Sequence, residues 1–283
     1  DNTTYRSLLS DAGVLTRFGE VIERVGGIGP FDEGLYAATE MLVHGFLELY
    51  RCGVLKRPVQ GNYVAHACFF LGPERFYEAL RTMPRCEREQ FCMTGISFVN
   101  QLYGQEEVKR LQRKDARFVN TGLIATLSGA VNSDALEDGR VVSGVGGQYN
   151  FVTMAHALED GRSILLIRST YEEHGALRSN IRRTYGSITI PRHLRDIVVT
   201  EYGIADVRGR TGEDVATALI EISDSRFQEE LLQEAQRAGM IASRYRIPDW
   251  CRENRLERFD ARLAPYRARG LFPQFPFGTD LTD

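Results

Sequence analysis

An open, mainly parallel α/β sheet with helices on both faces is the fold class this sequence predicts, followed by an extended aromatic and proline-rich C-terminal arm. Short apolar runs alternate with amphipathic helical segments along the body of the chain, the pattern of βαβ units. Several runs are nearly continuous in apolar residues, as strands covered on both faces should be. The arm follows from residues 271–278, Leu-Phe-Pro-Gln-Phe-Pro-Phe-Gly. That stretch holds too much proline for a helix and too much phenylalanine to leave in water, so docking on the body or a partner is expected.

In chain order, residues 5–22 read as one helix with Leu8, Leu9, Val14, Leu15 and Phe18 among its apolar positions. The chain opens on Asp1, Asn2 and Thr3 rather than methionine, which suggests an excised piece of a longer protein. Residues 34–41 form a short apolar run ending in Glu40, and Phe46, Leu47, Leu49 and Tyr50 follow at helical spacing up to Gly53. Strands are expected at residues 63–71, 118–127, 140–143, 163–167, 187–190 and 197–200. Pro73 should open a helix through Leu80, and Asn150 should cap another through Leu158 that Gly161 closes. Helices over 212–222 and 226–238 follow, then a basic helical segment around 258–269 interrupted at Pro265. The expected organisation is a helical lead-in (1–33), a main domain (34–240) and a C-terminal helix with its docked arm (241–283).

Composition narrows the function classes. Lys plus Arg (35) against Asp plus Glu (38) leaves a net charge of -3, which supplies no global field for nucleic acid or an anionic membrane. Any anionic ligand must be held locally. Five cysteines at irregular spacings are the opposite of a disulfide framework and read as reduced thiols of a cytoplasmic protein. The five histidines show none of the paired spacings of zinc sites, so no metal is expected; His66, His156 and His193 read as structural or surface residues. There is neither a basic-then-apolar leader nor an apolar run of membrane-spanning length.

Two features carry chemistry. The first is residues 141–150, Val-Val-Ser-Gly-Val-Gly-Gly-Gln-Tyr-Asn, where a strand-like run meets glycines and then a helix. Such a turn aims backbone N–H groups at an anion or oxyanion, although a tight strand-to-helix turn also takes glycine for steric reasons alone. The spacing is not that of a dinucleotide fingerprint, which sets a Rossmann-type nucleotide enzyme aside. The second is Glu40, a lone carboxylate just ahead of a helix, a place where open α/β sheets bind ligands and where ordinary surface glutamates also occur.

The strings 143–148 (Ser-Gly-Val-Gly-Gly-Gln), 200–206 (Thr-Glu-Tyr-Gly-Ile-Ala-Asp) with Arg208 and Gly209, and 227–231 (Phe-Gln-Glu-Glu-Leu) resemble the carboxyl-terminal domain of the acetyl-CoA hydrolase/transferase family. The likeness runs in order from about Gly34 to Leu231 and implies a CoA-transferase-like domain. It implies that Glu40, in Thr39-Glu40-Met41, attacks the acyl-CoA thioester, and that Gly146 and Gly147 supply an oxyanion donor. Gly144 and Gln148 then lie by the pantetheine arm. Ser169, Thr170, Arg178 and Arg182, with Arg183, are candidates for holding coenzyme A and its phosphates. Members commonly carry a histidine two residues before the glutamate, where this chain has Ala38, and Ser-Asp-Gly where it has Val43-His44-Gly45. They also tend to show Pro-Ser-Thr and Ser-Arg-Ile, where this chain reads Arg168-Ser169-Thr170 and Ser179-Asn180-Ile181.

The chemistry suits these residue types. A carboxylate is ionised at neutral pH and needs no general base to attack a thioester, giving an acyl anhydride, then a glutamyl-CoA thioester. A preorganised N–H at the developing oxyanion is worth about 3 kcal/mol. The expected substrates are acyl-CoA and a small carboxylic acid, or water for a hydrolase, with no permanently bound cofactor. The resemblance implies an amino-terminal companion domain that closes the site, and a homo-oligomer is expected. The alternative is a CoA-binding regulatory module without turnover, which would have no need of Glu40.

Overall fold

The computed structural model describes residues 2–278 apart from 12, 25, 26, 30 and 31. It resolves into two compact units, Asp1–Val99 with Phe277–Asp283, and Asn100–Pro276, a division that falls inside the span 34–240.

The first unit begins with two helices, α1 (Asn2–Asp11) and α2 (Val14–Arg24), where the apolar spacing suggests one. Between them Gly13 has a φ of 71°, a left-handed turn that a continuous helix cannot hold. There follow β1 (Ala37–Leu42), α3 (His44–Arg51), β2 (Ala65–Phe70), α4 (Glu74–Thr82), α5 (Arg85–Arg88), β3 (Phe91–Met93) and α6 (Ile96–Val99). The strands pair in parallel in the order β1-β2-β3. As expected, Gly53 stops α3 with a φ of 74° and Pro73 stands at the start of α4. Leu47 of α3 and Phe76 of α4 bury themselves against Leu42 and Ala67, and Phe46 and Tyr50 pack beside Ala37 and Ala65. One face of this sheet is therefore covered by α3 and α4.

The second unit contains α7 (Glu106–Gln112), β4 (Arg117–Gly122), β5 (Ile124–Thr126), β6 (Val131–Asn132), α8 (Gln148–Ala157), β7 (Arg162–Ile167), β8 (Thr170–Glu173), β9 (Ala176–Ser179) and β10 (Ile181–Arg182). It continues with β11 (Ile197–Thr200), β12 (Gly203–Asp206), α9 (Gly212–Glu221), α10 (Ser225–Arg237) and α11 (Leu256–Arg267). Its main sheet runs β12-β11-β7-β4, parallel except for β12; a small sheet β10-β5-β6 and the hairpin β8-β9 complete it. The protein is thus mainly parallel α/β, with the pairing spread over several small sheets. Val152 of α8, Val215, Leu219 and Ile220 of α9, and Leu231 of α10 form the core against Leu165, Ile167, Val198 and Ala205. Val119, Leu166 and Ile204, at the positions that alternate with these, are exposed.

Several expected elements differ in detail. The run 118–127 breaks at Leu123 into β4 and β5. The runs 140–143 and 187–190 form no strand, because Val141 and Ile190 each make only an isolated bridge, to Ala135 and Val131. Pro265 does not interrupt α11: no residue of that helix is buried, so water can take the carbonyl the proline leaves unbonded. Residues 271–278 are neither helix nor strand, but Phe272 and Phe275 are exposed rather than docked. Phe277 stacks on the His44 ring at 4.9 Å. Among the described residues no helix is long and apolar enough to cross a membrane.

Asp224 holds the turn between α9 and α10. Its side chain has no solvent exposure, accepts the Arg226 N–H at 3.0 Å as the cap of α10, and is bound by the Arg226 guanidinium at 2.8 Å and the Tyr202 hydroxyl at 2.9 Å. Burial alone would raise its pKa, but those hydrogen bonds outweigh burial and hold it below the usual carboxylate range. Asp224→Ala should therefore cost about 3 kcal/mol at pH 7, from the lost cap and the broken ion pair. Because the folded pKa is depressed, that contribution is full above the unfolded value of about 3.9 and is lost as pH falls below it. Urea melts of both proteins at pH 7 and pH 3 should show the gap narrowing; an equal gap at both would contradict the account.

Candidate active site

Glu40 is the fourth of six residues in β1 and is half-buried. The expected exit from the strand at Glu40 comes two residues later: Leu42 ends the strand, Val43 is extended, and α3 begins at His44. In the parallel ladder Thr39 lies beside Ala67 and Met41 beside Phe69, which sets Glu40 in the row of Cys68. Burial and, after it, the Glu40 carboxylate push the Cys68 thiol up, an electrostatic mark of their closeness. His66, expected as a structural or surface residue, is buried two residues before Cys68 with Nδ1 at 2.8 Å from the Tyr36 hydroxyl. Period-two alternation along β2 was the signal that would have placed it on this face. His156, by contrast, is structural: its Nε2 meets the Leu194 carbonyl at 2.9 Å.

The glycine loop lies in the second unit, so one sheet does not carry both Glu40 and the loop. The N–H groups of Val142 and Ser143 donate to the Asp134 carbonyl at 2.8 and 3.1 Å, and the chain then turns through Gly146 at a φ of 56°. The helix starts two residues before the expected Asn150 cap: Gly147 is the N-cap and Gln148 the first residue of α8. No side chain caps it, and the N–H groups of Gly144, Val145, Gly146 and Gly147 donate to no acceptor among the described residues. A helix start with unsatisfied N–H groups is suited to an anion or oxyanion. Gln148 is itself buried, and its Nε2 donates to the Thr121 carbonyl of β4 at 3.0 Å, anchoring the loop to the sheet.

The arginines gather at an open cleft of about 660 Å3 whose walls include Arg140, Arg178, Arg182 and Arg183. Arg182 is fixed by the Tyr171 hydroxyl at 2.9 Å and Glu137 at 3.0 Å, Arg178 pairs with Glu173 at 3.5 Å, and Arg183 with Glu234 at 4.0 Å. Asp138 and Glu230 also line the cleft, so its charge is mixed rather than basic. Ser169 and Thr170 are buried and not among its walls. The Ser169 N–H donates to Glu201 at 2.9 Å, and Thr170 begins β8 opposite Ser179. The structure thus brings Arg178 and Arg182 together; Thr170 adjoins the wall residues Tyr171 and Ser179, while Ser169 and the glycine loop are not among the walls.

A mainly parallel sheet with a glycine loop opening a helix is the framework of an α/β domain. Residues 72–235, more than half of the chain, match the acetyl-CoA hydrolase/transferase C-terminal domain, and the chain belongs to that family. It is 28% identical over 200 residues to the 4-hydroxybutyrate coenzyme A transferase of Clostridium kluyveri, covering 69% of this chain and 44% of that protein. It is 30% identical over 207 residues to a probable butyrate:acetyl-CoA coenzyme A-transferase of Syntrophomonas wolfei, covering 71% and 44%. Among solved structures, RipA from Yersinia pestis superposes with a TM-score of 0.62 at 29% identity, over 74% of this chain and 46% of that one. The chain spans less than half the length of each. The glycine loop and the arginines fall inside the family match, while Glu40 precedes it.

Replacing Gln148 by leucine tests its role. As an anchor, its loss leaves the Thr121 carbonyl unpaired and should cost about 1–3 kcal/mol in chemical denaturation, with affinity for CoA unchanged. A coenzyme contact would show the reverse, stability kept and CoA affinity lowered.

Proposed function

We propose that the chain is the catalytic carboxyl-terminal part of an acyl-CoA:carboxylate CoA-transferase, or of an acyl-CoA hydrolase, acting through a thioester between Glu40 and CoA. The observation that carries this is the seat of Glu40, half-buried on a parallel strand two residues before the strand ends and α3 begins. The unsatisfied N–H groups of residues 144–147 support an oxyanion role for the glycine loop, and the transferase names of the relatives support CoA thioesters as substrates.

A Glu40 carboxylate oxygen attacks the thioester carbonyl carbon, the C–S bond breaks, and CoA leaves as its thiolate with an acyl-glutamyl anhydride behind it. The thiolate attacks the glutamyl carbonyl, expels the first carboxylate and forms glutamyl-CoA. An acceptor carboxylate then attacks that thioester, and the thiolate returns to the acceptor's acyl carbon, releasing a new acyl-CoA and restoring Glu40. Water in place of the acceptor gives hydrolysis, so exclusion of water from the closed site separates the two outcomes. Each tetrahedral oxyanion calls for N–H donors of the kind the loop presents, worth about 3 kcal/mol apiece. A companion domain elsewhere in the longer protein completes the site in this scheme, consistent with the short span of the chain against its relatives. Five free cysteines support a reducing, cytoplasmic setting.

Glu40→Gln keeps the shape of the side chain and removes the nucleophile. In the complete protein it should lower kcat for transfer and hydrolysis by at least about a thousandfold, with CoA affinity and melting temperature close to wild type. Turnover near wild type would remove Glu40 from the mechanism.

A further inference from the structure

Glu40 shares its sheet face with a buried histidine. The β1–β2 ladder sets Ala38 beside His66, and the β2–β3 ladder sets His66 beside Cys92. Side chains alternate along a strand, so Ala38, Glu40, His66, Cys68 and Cys92 share the face opposite Ala65 and Ala67, which α3 and α4 cover. His66 stands one strand over and one row back from Glu40. Strand spacing and rise put their Cα atoms about 8 Å apart, a diagonal that long side chains bridge.

The ring is held firmly. It is 5% exposed, its Nδ1 meets the Tyr36 hydroxyl at 2.8 Å, and the rings of Tyr63 and Phe98 lie 5.2 and 4.8 Å away. The Arg57 guanidinium lies 5.8 Å from the centre of the Tyr36 ring. In the tautomer where the Tyr36 hydroxyl donates to Nδ1, the ring proton sits on Nε2 and is a donor for a carboxylate. Among the described residues, Tyr36 and Tyr63 touch the ring, and Glu40, Cys68 and Cys92 are titratable groups on the same sheet face. Burial pushes both thiols up, with Glu40 adding to the effect at Cys68, so the two cysteines stay neutral beside the ring.

We propose that His66 is a positioning residue for Glu40, its Nε2–H holding the carboxylate for attack, with the tautomer set by Tyr36. This rests on the nucleophile role given to Glu40 above. A neutral ring orients the carboxylate and leaves it nucleophilic; an imidazolium pairs with it and weakens it, so activity falls on the acid side as His66 protonates.

The test is an NMR titration of the histidine ring C–H signals in the complete protein, wild type and Glu40→Gln, assigned through single histidine replacements. Loss of the neighbouring anion should lower the His66 pKa by about one pH unit; an unchanged value overturns the proposal, and this comparison needs no functional variant at His66. In kinetics, His66→Asn should lower kcat about a hundredfold, the scale for a misplaced reacting group, with KM within about twofold. It should also flatten the acid limb of the pH–rate profile, whereas Tyr36→Phe should lower kcat and keep that limb, because His66 still protonates. A folded His66→Asn with wild-type kcat and an intact acid limb overturns the proposal as well. Turnover by Glu40→Gln would refute the nucleophile role, a result separate from the titration, which reads the coupling of the two side chains whatever Glu40 does.

Discussion

The carboxylate of Asp196 is out of contact with solvent, and the main sheet of the second unit is ordered around it. It lies just before β11, accepts the Ser163 N–H at 2.6 Å and the Arg162 Nε at 2.8 Å at the start of β7, and takes the Arg208 guanidinium at 2.7 Å just past β12. Arg162 reaches on to Asp206, the last residue of β12, at 2.7 Å. Because β12 runs antiparallel, all of these groups meet at the amino-terminal edge of the parallel strands. An anion buried there costs several kcal/mol unless its lone pairs are filled. Pairing β7, β11 and β12 in this register is the arrangement that fills them. The edge so locked is opposite the carboxyl ends of β4 and β7, where open sheets bind ligands and where Gln148 ties the glycine loop to Thr121.

The string 200–206 acquires a physical meaning from the same network. Thr200 donates its hydroxyl to the Ile222 carbonyl at 2.6 Å, Glu201 accepts the Ser169 N–H, and Tyr202 donates to Asp224. Each contact fastens the β11–β12 hairpin to a neighbouring segment, so this string helps to maintain the fold. The residues proposed for the chemistry are Glu40, on one small parallel sheet, and the glycine loop at the start of α8.

Much of this was legible in the residues. The strands near 65–70, 163–167 and 197–200 are apolar runs with few alternatives, and α4, α9 and α10 carry a proline start, a threonine cap and a glycine stop respectively. What was missed is short or set by distant partners. Strands β6 and β10 have two residues each and exist only because β5 lies between them. The strand-like run 140–143 meets its neighbour only at the isolated bridge of Val141 to Ala135, and Val141 stays exposed. In the site, the glycine turn was visible as a motif, whereas the burial of Gln148, Ser169 and Thr170 depended on contacts no local pattern records. Likewise His66 is ordinary in sequence and becomes notable only through the register that sets it beside Ala38.

The central claim is that Glu40 becomes covalently joined to CoA. Mass spectrometry of proteolytic peptides from the complete protein, incubated with an acyl-CoA without acceptor acid, tests this most directly. The account predicts a CoA adduct on the peptide containing Glu40, discharged by an acceptor carboxylate and absent in Glu40→Gln. An adduct on another residue, or full turnover of the same preparation with no adduct at any time point of a rapid quench, would contradict it.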